Sequence, residues 1–268
     1  MTEKNNTQQF TLWDYTGNVQ PAQIKVSILL YSEKIRNELG LHNLLGKDEF
    51  ELIQNDSNAF LFGLISDQSV KAEIAWSLPF ELRKRINHLD LERLSIMTID
   101  ELTEILKLKP ALHRYPSQMA KYIVLASQRL KKQYQGKASK IWDAPANAAE
   151  IIHRLEEFSG IGHKKASLGV MLLVRDFGLI IPDTSSIDIA YDIHIRRIFL
   201  RSALANKDSA EEVLSAARSL HPDYPGLLTT PFWLIGRNWC HPTNPNCNEC
   251  PINKGCAKKI ELGKDINA

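Results

Sequence analysis

The sequence predicts an all-α protein, and three observations carry that prediction. Apolar residues recur at helical spacing along most of the 268 residues. Strand-type alternation is scarce: residues 24–30 and 179–181 tolerate β structure, but helical patterns surround both. Glycine and proline fall between the periodic stretches rather than inside them, and there is no internal repeat or low-complexity linker. Composition is that of an ordinary globular chain, with 44% apolar and 24% charged residues and a net charge of only +2. No apolar run is long enough to span a bilayer, and residues 1–10 are too polar for a secretory signal, so the expected setting is a reducing cell interior.

Taken in chain order, residues 1–20 read as a loose polar tail. A helix begins near Ala22, with Val26, Leu29, Leu30 and Ile35 on its apolar positions, and stops near Gly40. Further helices are expected over 58–71, 79–87, 100–107, 116–134, 147–157, 165–177, 193–204, 209–219 and 231–238. Thr98 followed by Glu101 has the form of a capping box for the helix at 100. Between Ala111 and Trp142 there is no acidic residue, while Arg114, Lys121, Arg129, Lys131, Lys132, Lys137 and Lys140 all occur. That stretch reads either as a phosphate-facing surface or as a solvated helix face followed by a basic loop.

Residues 158–166, Phe-Ser-Gly-Ile-Gly-His-Lys-Lys-Ala, stand between two helical patterns. Two glycines around one apolar residue suit a tight turn, with Ile161 plugging the junction. The amides of Gly160, Gly162 and the next helix start then face outward and make a nest for one DNA phosphate. Such a contact positions DNA without reading a base. Lys164 and Lys165 both lie at this helix start, and spacing does not choose between them, because the following helix is apolar nearly all round.

The chain's four cysteines, Cys240, Cys247, Cys250 and Cys256, form one C-x6-C-x2-C-x5-C cluster. Disulfides would close only short loops, so the cysteines read as ligands. Zinc sites favour two C-x2-C pairs; a single pair flanked by wider gaps favours an iron–sulfur cluster over zinc.

The hairpin resembles the helix-hairpin-helix of the endonuclease III family of DNA glycosylases, whose motif is hydrophobic-Pro-Gly-hydrophobic-Gly-x-Lys-x-Ala; Ser159 replaces the proline. Residues 189–197 (Ile-Ala-Tyr-Asp-Ile-His-Ile-Arg-Arg) resemble the family's catalytic-aspartate segment, and 64–69 (Leu-Ile-Ser-Asp-Gln-Ser) its Leu-x-Ser-x-Gln segment. The cysteine spacing is that of its [4Fe-4S] loop. These landmarks run in family order over about residues 48–257.

The resemblance implies a two-lobed helix-hairpin-helix glycosylase fold. One lobe is a helical barrel over 48–178 ending in the hairpin at 147–177. The other joins 21–47 to 179–257 and carries the cluster loop at 240–256, with 258–268 as a tail. It implies duplex DNA bearing a lesion, mismatch or abasic site as partner, bound by a monomer in a DNA-associated, intracellular setting. Lys164 becomes the Schiff-base nucleophile of a bifunctional glycosylase and AP lyase, and Asp192 the carboxylate that stabilises cationic sugar and assists proton transfer. Asp183 and Asp188 are decoys by position. Gln68 enters the gap left by an everted nucleotide, Arg114 or Tyr115 stacks as the second wedge, and Gly160, Gly162 and Lys165 complete the DNA contacts. The [4Fe-4S] cluster holds its loop in shape, since neither base release nor β-elimination transfers electrons. The rival readings are a monofunctional mismatch glycosylase on the same fold and a non-catalytic DNA-structure binder with a zinc-held loop.

Four departures from the family pattern bear on substrate choice. Asp67 stands where a small residue is usual, and Ser159 replaces the motif proline. Lys164 and Asp192 are 28 positions apart, a longer interval than the family's, with the surplus expected in 179–188 near the active-site mouth. The residues between the first two cysteines are not basic, which shifts phosphate contact to Arg237, Lys258 or Lys259.

Overall fold

Short polar side chains cap six of the twelve helix starts among the described residues. The computed structural model describes residues 21–264 except 36, 37, 39 and 144, so the expected tail at 1–20 lies outside the described residues. Among the described residues there are twelve α-helices and no strand. They are α1 (Pro21–Lys34), α2 (Lys47–Asn55), α3 (Ser57–Ser66), α4 (Ala72–Ile86), α5 (Leu91–Ile96), α6 (Ile99–Lys107), α7 (Pro116–Gln133), α8 (Ala148–Glu156), α9 (His163–Phe177), α10 (Ile193–Ser202), α11 (Ala210–Leu220) and α12 (Thr229–Asn238). Asp56 caps α3, Asp90 caps α5, Asp192 caps α10 and Ser209 caps α11. Reciprocal capping boxes, Thr98 with Glu101 and Asn147 with Glu150, start α6 and α8. None of the helices is long and apolar enough to cross a membrane.

Helix boundaries differ from the sequence expectation where local chemistry overrides the apolar period. The helix expected over 58–71 ends at Ser66: Asp67 leaves the helical region, and Ser69 has φ +57°. Gln68 therefore sits in a turn. The helix expected from Pro79 begins at Ala72 and runs through that proline, although an interior proline removes one helical hydrogen bond. The helices α2 and α5 add to the expected set; six residues are too few for α5 to show a period.

Two hydrophobic cores result. The first runs from Leu41 to Ile187 and is built around α3, which is buried from Ala59 to Ser66 on every face. The second combines Ile24 and Ile28 of α1 with Ile195, Ile198 and Phe199 of α10, Val213 and Ala217 of α11, Phe232 and Ile235 of α12, and Ile252. Helix α1 thus packs with the C-terminal third of the chain. Residues 258–264 are also tied down: the Lys259 amide donates to the Arg201 carbonyl at 2.9 Å, and Arg201 Nε donates to the Leu262 carbonyl at 2.9 Å.

Candidate active site

The hairpin between α8 and α9 is closed by backbone bonds, with the Ile161 amide on the Phe158 carbonyl at 3.0 Å. Gly160 has φ +89°, and a Cβ there would come within 2.5 Å of the Tyr122 ring, so both conformation and space demand glycine. Gly162 differs: its φ is −100° and a Cβ would meet nothing within 4 Å. It precedes α9 without any side-chain cap, so the first amides of that helix remain open outward.

The two lysines at this helix start part company. Lys164 is exposed and lines a cavity of about 730 Å3. Lys165 is 8% exposed and its Nζ donates to the Ile65 carbonyl at 2.7 Å. Burial and the neighbouring Lys164 charge push the Lys165 pKa down to about 8, against a smaller opposing pull from Asp67. The DNA contact expected at Lys165 meets a side chain turned inward, whose amine secures the end of α3.

The cavity is lined from both cores. Lys164, Asp67, Gln68 and Trp76 come from the first side, and Asp192, His194, Trp233 and Arg237 from the second. Asp192 also caps α10, its Oδ1 accepting from the Ile195 amide at 2.8 Å, which holds the carboxylate at the cavity wall. Arg237 stacks on Trp233, 4.5 Å from the ring centroid, and reaches across to Glu73 at 3.3 Å. Burial, with a smaller push from Asp192, leaves the Asp67 pKa raised; Lys164, the Trp76 indole and Lys165 oppose the rise without cancelling it. Asp188 lies elsewhere, buried against Arg218 (2.7 and 2.6 Å) and His163 (2.9 Å). Burial draws the His163 pKa down, but its bonds to Asp188 and Glu156 outweigh that and leave it raised. The segment 179–188 is fastened by Thr184 and Ile187 to the turn after α11 and does not line the cavity. The expectation that it borders the active-site mouth is corrected accordingly.

The loop carrying Gln68 and the loop carrying Arg114 and Tyr115 are joined through His113, which is 3% exposed. The Tyr115 amide donates to Nδ1 at 3.0 Å, so Nε2 holds the proton and donates to the Gln68 carbonyl at 3.0 Å. Burial lowers the His113 pKa and favours this neutral form. Arg114 and Tyr115 are exposed, with the guanidinium 5.5 Å from the ring centroid. Along the acid-free stretch, Arg129 pairs with Glu157, Lys131 with Glu92 and Lys140 with Asp143, which neutralises much of its charge.

The four cysteines form no disulfide and together line one small cavity against the second core. Two buried arginines of α10 shape the loop around them. Arg197 Nε donates to the Cys240 carbonyl at 2.7 Å. Arg201 donates to the His241 and Pro242 carbonyls, each at 2.7 Å, and its Nη1 lies 3.7 Å from Cys240 Sγ. The Lys258 amide approaches Cys256 Sγ at 3.4 Å. Among the described residues no three His, Cys, Asp or Glu side chains stand at metal-ligating geometry. The soft donor set and the N–H groups aimed at its sulfurs nonetheless suit an electron-rich thiolate centre.

No family model and no curated protein sequence matches the chain. Solved structures do. A trapped endonuclease III–DNA covalent intermediate superposes with a TM-score of 0.62 at 19% identity, over 89% of this chain and 96% of that one. A thermostable thymine-DNA glycosylase gives 0.59 at 14% identity, over 88% and 94%. The 8-oxoguanine DNA glycosylase of Thermotoga maritima gives 0.54 at 17% identity, over 81% and 97%. The chain has the helix-hairpin-helix DNA glycosylase fold. Within that glycosylase fold, sequence reasoning missed His113, Arg197 and Arg201. Their partners are backbone carbonyls distant in sequence, which no spacing encodes; the signal available for the arginines was that they fall among the apolar residues Ile195, Ile198, Phe199 and Leu200 of α10.

Proposed function

We propose that this protein is a base-excision-repair DNA glycosylase that removes a damaged or mismatched base and nicks the resulting abasic site. The observation that carries the proposal is that Lys164 and Asp192, 28 positions apart and from different cores, line one cavity beside an uncapped hairpin. The solved endonuclease III relative on this fold is itself a trapped covalent complex with DNA, which supports a covalent route.

In this reading the open amides at Gly162 and the start of α9 hold one phosphate, and the absent side chain at Gly162 lets the backbone approach it. The target nucleotide turns out of the stack into the cavity. Gln68 fills the vacated position, and the Arg114–Tyr115 pair stacks against the opposite strand. The Lys164 amine attacks the sugar C1′ as the base departs with a proton, and ring opening leaves a protonated imine. Loss of a C2′ proton then expels the 3′ phosphate, and water releases the lysine. Asp192 offsets the positive charge at the sugar and relays the protons. Cys240, Cys247, Cys250 and Cys256 would hold a [4Fe-4S] cluster, which supplies a cross-link fixing the loop beside α10.

Borohydride trapping on duplex DNA with a single abasic site tests the proposal. Wild type is expected to give a covalent adduct, and Lys164→Ala to lose it. An adduct persisting at wild-type level in Lys164→Ala would remove that lysine from the mechanism; an intact wild type that traps nothing would sink the lyase step.

A further inference from the structure

The mechanism above makes no use of Asp67, the carboxylate next to the gap-filling Gln68. Resting on the proposed glycosylase reading, we propose that Asp67 selects the everted base by accepting a hydrogen bond from its exocyclic amine, so that the enzyme prefers damaged bases that carry one.

Three observations lead there. Asp67 ends α3 and lines the same cavity as Lys164 and Asp192. Its side chain is half-buried, with the donor Trp76 indole against it and both Lys164 and Lys165 near enough to draw on its charge. Yet no salt bridge closes on it among the described residues. Of the two lysines, Lys165 spends its amine on the Ile65 carbonyl, and Lys164, whose pull on Asp67 is the larger, stays exposed at the cavity. A carboxylate beside a DNA groove repels phosphate, so its place here calls for a donor from the ligand. An ionised carboxylate only accepts. Cytosine and adenine derivatives offer an amine where uracil, thymine and hypoxanthine carry a carbonyl, whose lone pairs would oppose the carboxylate; guanine derivatives offer theirs at C2, where hypoxanthine has only hydrogen. Trp76 is itself packed on Phe60, with ring centroids 5.4 Å apart, so the indole beside Asp67 is held in place.

Matched bases that differ only in this group test the inference. Single-turnover release of 5-hydroxycytosine and of 5-hydroxyuracil would be measured on otherwise identical duplexes, with 8-oxoguanine and 8-oxohypoxanthine as the purine pair. Each rate is divided by the rate of abasic-site trapping by the same preparation, so that a loss of folded protein cancels. Wild type is expected to favour the amine-bearing member of at least one pair by about tenfold or more. Asp67→Asn, whose amide can present either an acceptor or a donor, is expected to bring that ratio close to one. Equal release by wild type, or a preference that survives in Asp67→Asn, overturns the role given to Asp67. So does a wild type that traps abasic DNA and releases none of the four bases. Neither trapping nor release would overturn the proposed function itself, and this inference with it.

Discussion

Lys164 and Lys165 are the same amino acid one position apart, and a helix turns about 100° between neighbours, so the two amines leave α9 in different directions. One ends in the cavity; the other ends beneath it, on the Ile65 carbonyl. The buried amine has a thermodynamic signature. With its pKa pushed to about 8 in the folded protein, Lys165 is neutral between there and its ordinary value while the unfolded chain still holds the proton. Stability contributed through this group therefore rises with pH across that window, by about 3 kcal/mol in total. Urea unfolding at about pH 7.5 and about pH 10.5 should show this rise in wild type and lose it in Lys165→Met; parallel pH slopes in the two proteins would refute it. Spacing left the two lysines equivalent because every face of α9 near them is apolar; the family motif singled out Lys164, and the position of the α3 terminus, supplied by tertiary packing, is what physically separates them.

At the scale of elements, the hairpin glycines have unlike duties. Gly160 serves the fold: alanine there would combine a left-handed backbone with a clash on Tyr122, and Gly160→Ala is expected to cost about 2 kcal/mol or more in urea unfolding. Gly162 has room for a methyl group, so Gly162→Ala should change stability by less than about 1 kcal/mol while weakening duplex-DNA affinity about tenfold in a titration. Equal losses of stability at the two positions would contradict this division. The hairpin was legible in the sequence because its glycines and flanking apolar runs are local signals. Long helices such as α7 were legible for the same reason. The end of α3 was not: the polar run Asp67-Gln68-Ser69 is compatible with a helix surface, and only the turn geometry at Ser69 shows that Gln68 leaves it.

For the molecule as a whole, the cysteine loop depends on charges that the sequence offers as ordinary surface residues. Arg201 is 1% exposed, and its guanidinium serves the His241, Pro242 and Leu262 carbonyls together. Removing it strands three backbone acceptors, so Arg201→Met should lose about 3 kcal/mol or more of stability and bind less iron per chain than wild type. A variant with undiminished melting temperature and iron content would show that the loop stands without it. The division into two cores also dictates a schedule. The first core closes within residues 41–187, but Ile24 and Ile28 of α1 find their partners only when α10 to α12 and Ile252 have been made. At ribosomal speeds that interval is on the order of ten seconds or more. During translation α1 is therefore an apolar helix without a home, and the first of the described helices to be made is among the last to be buried.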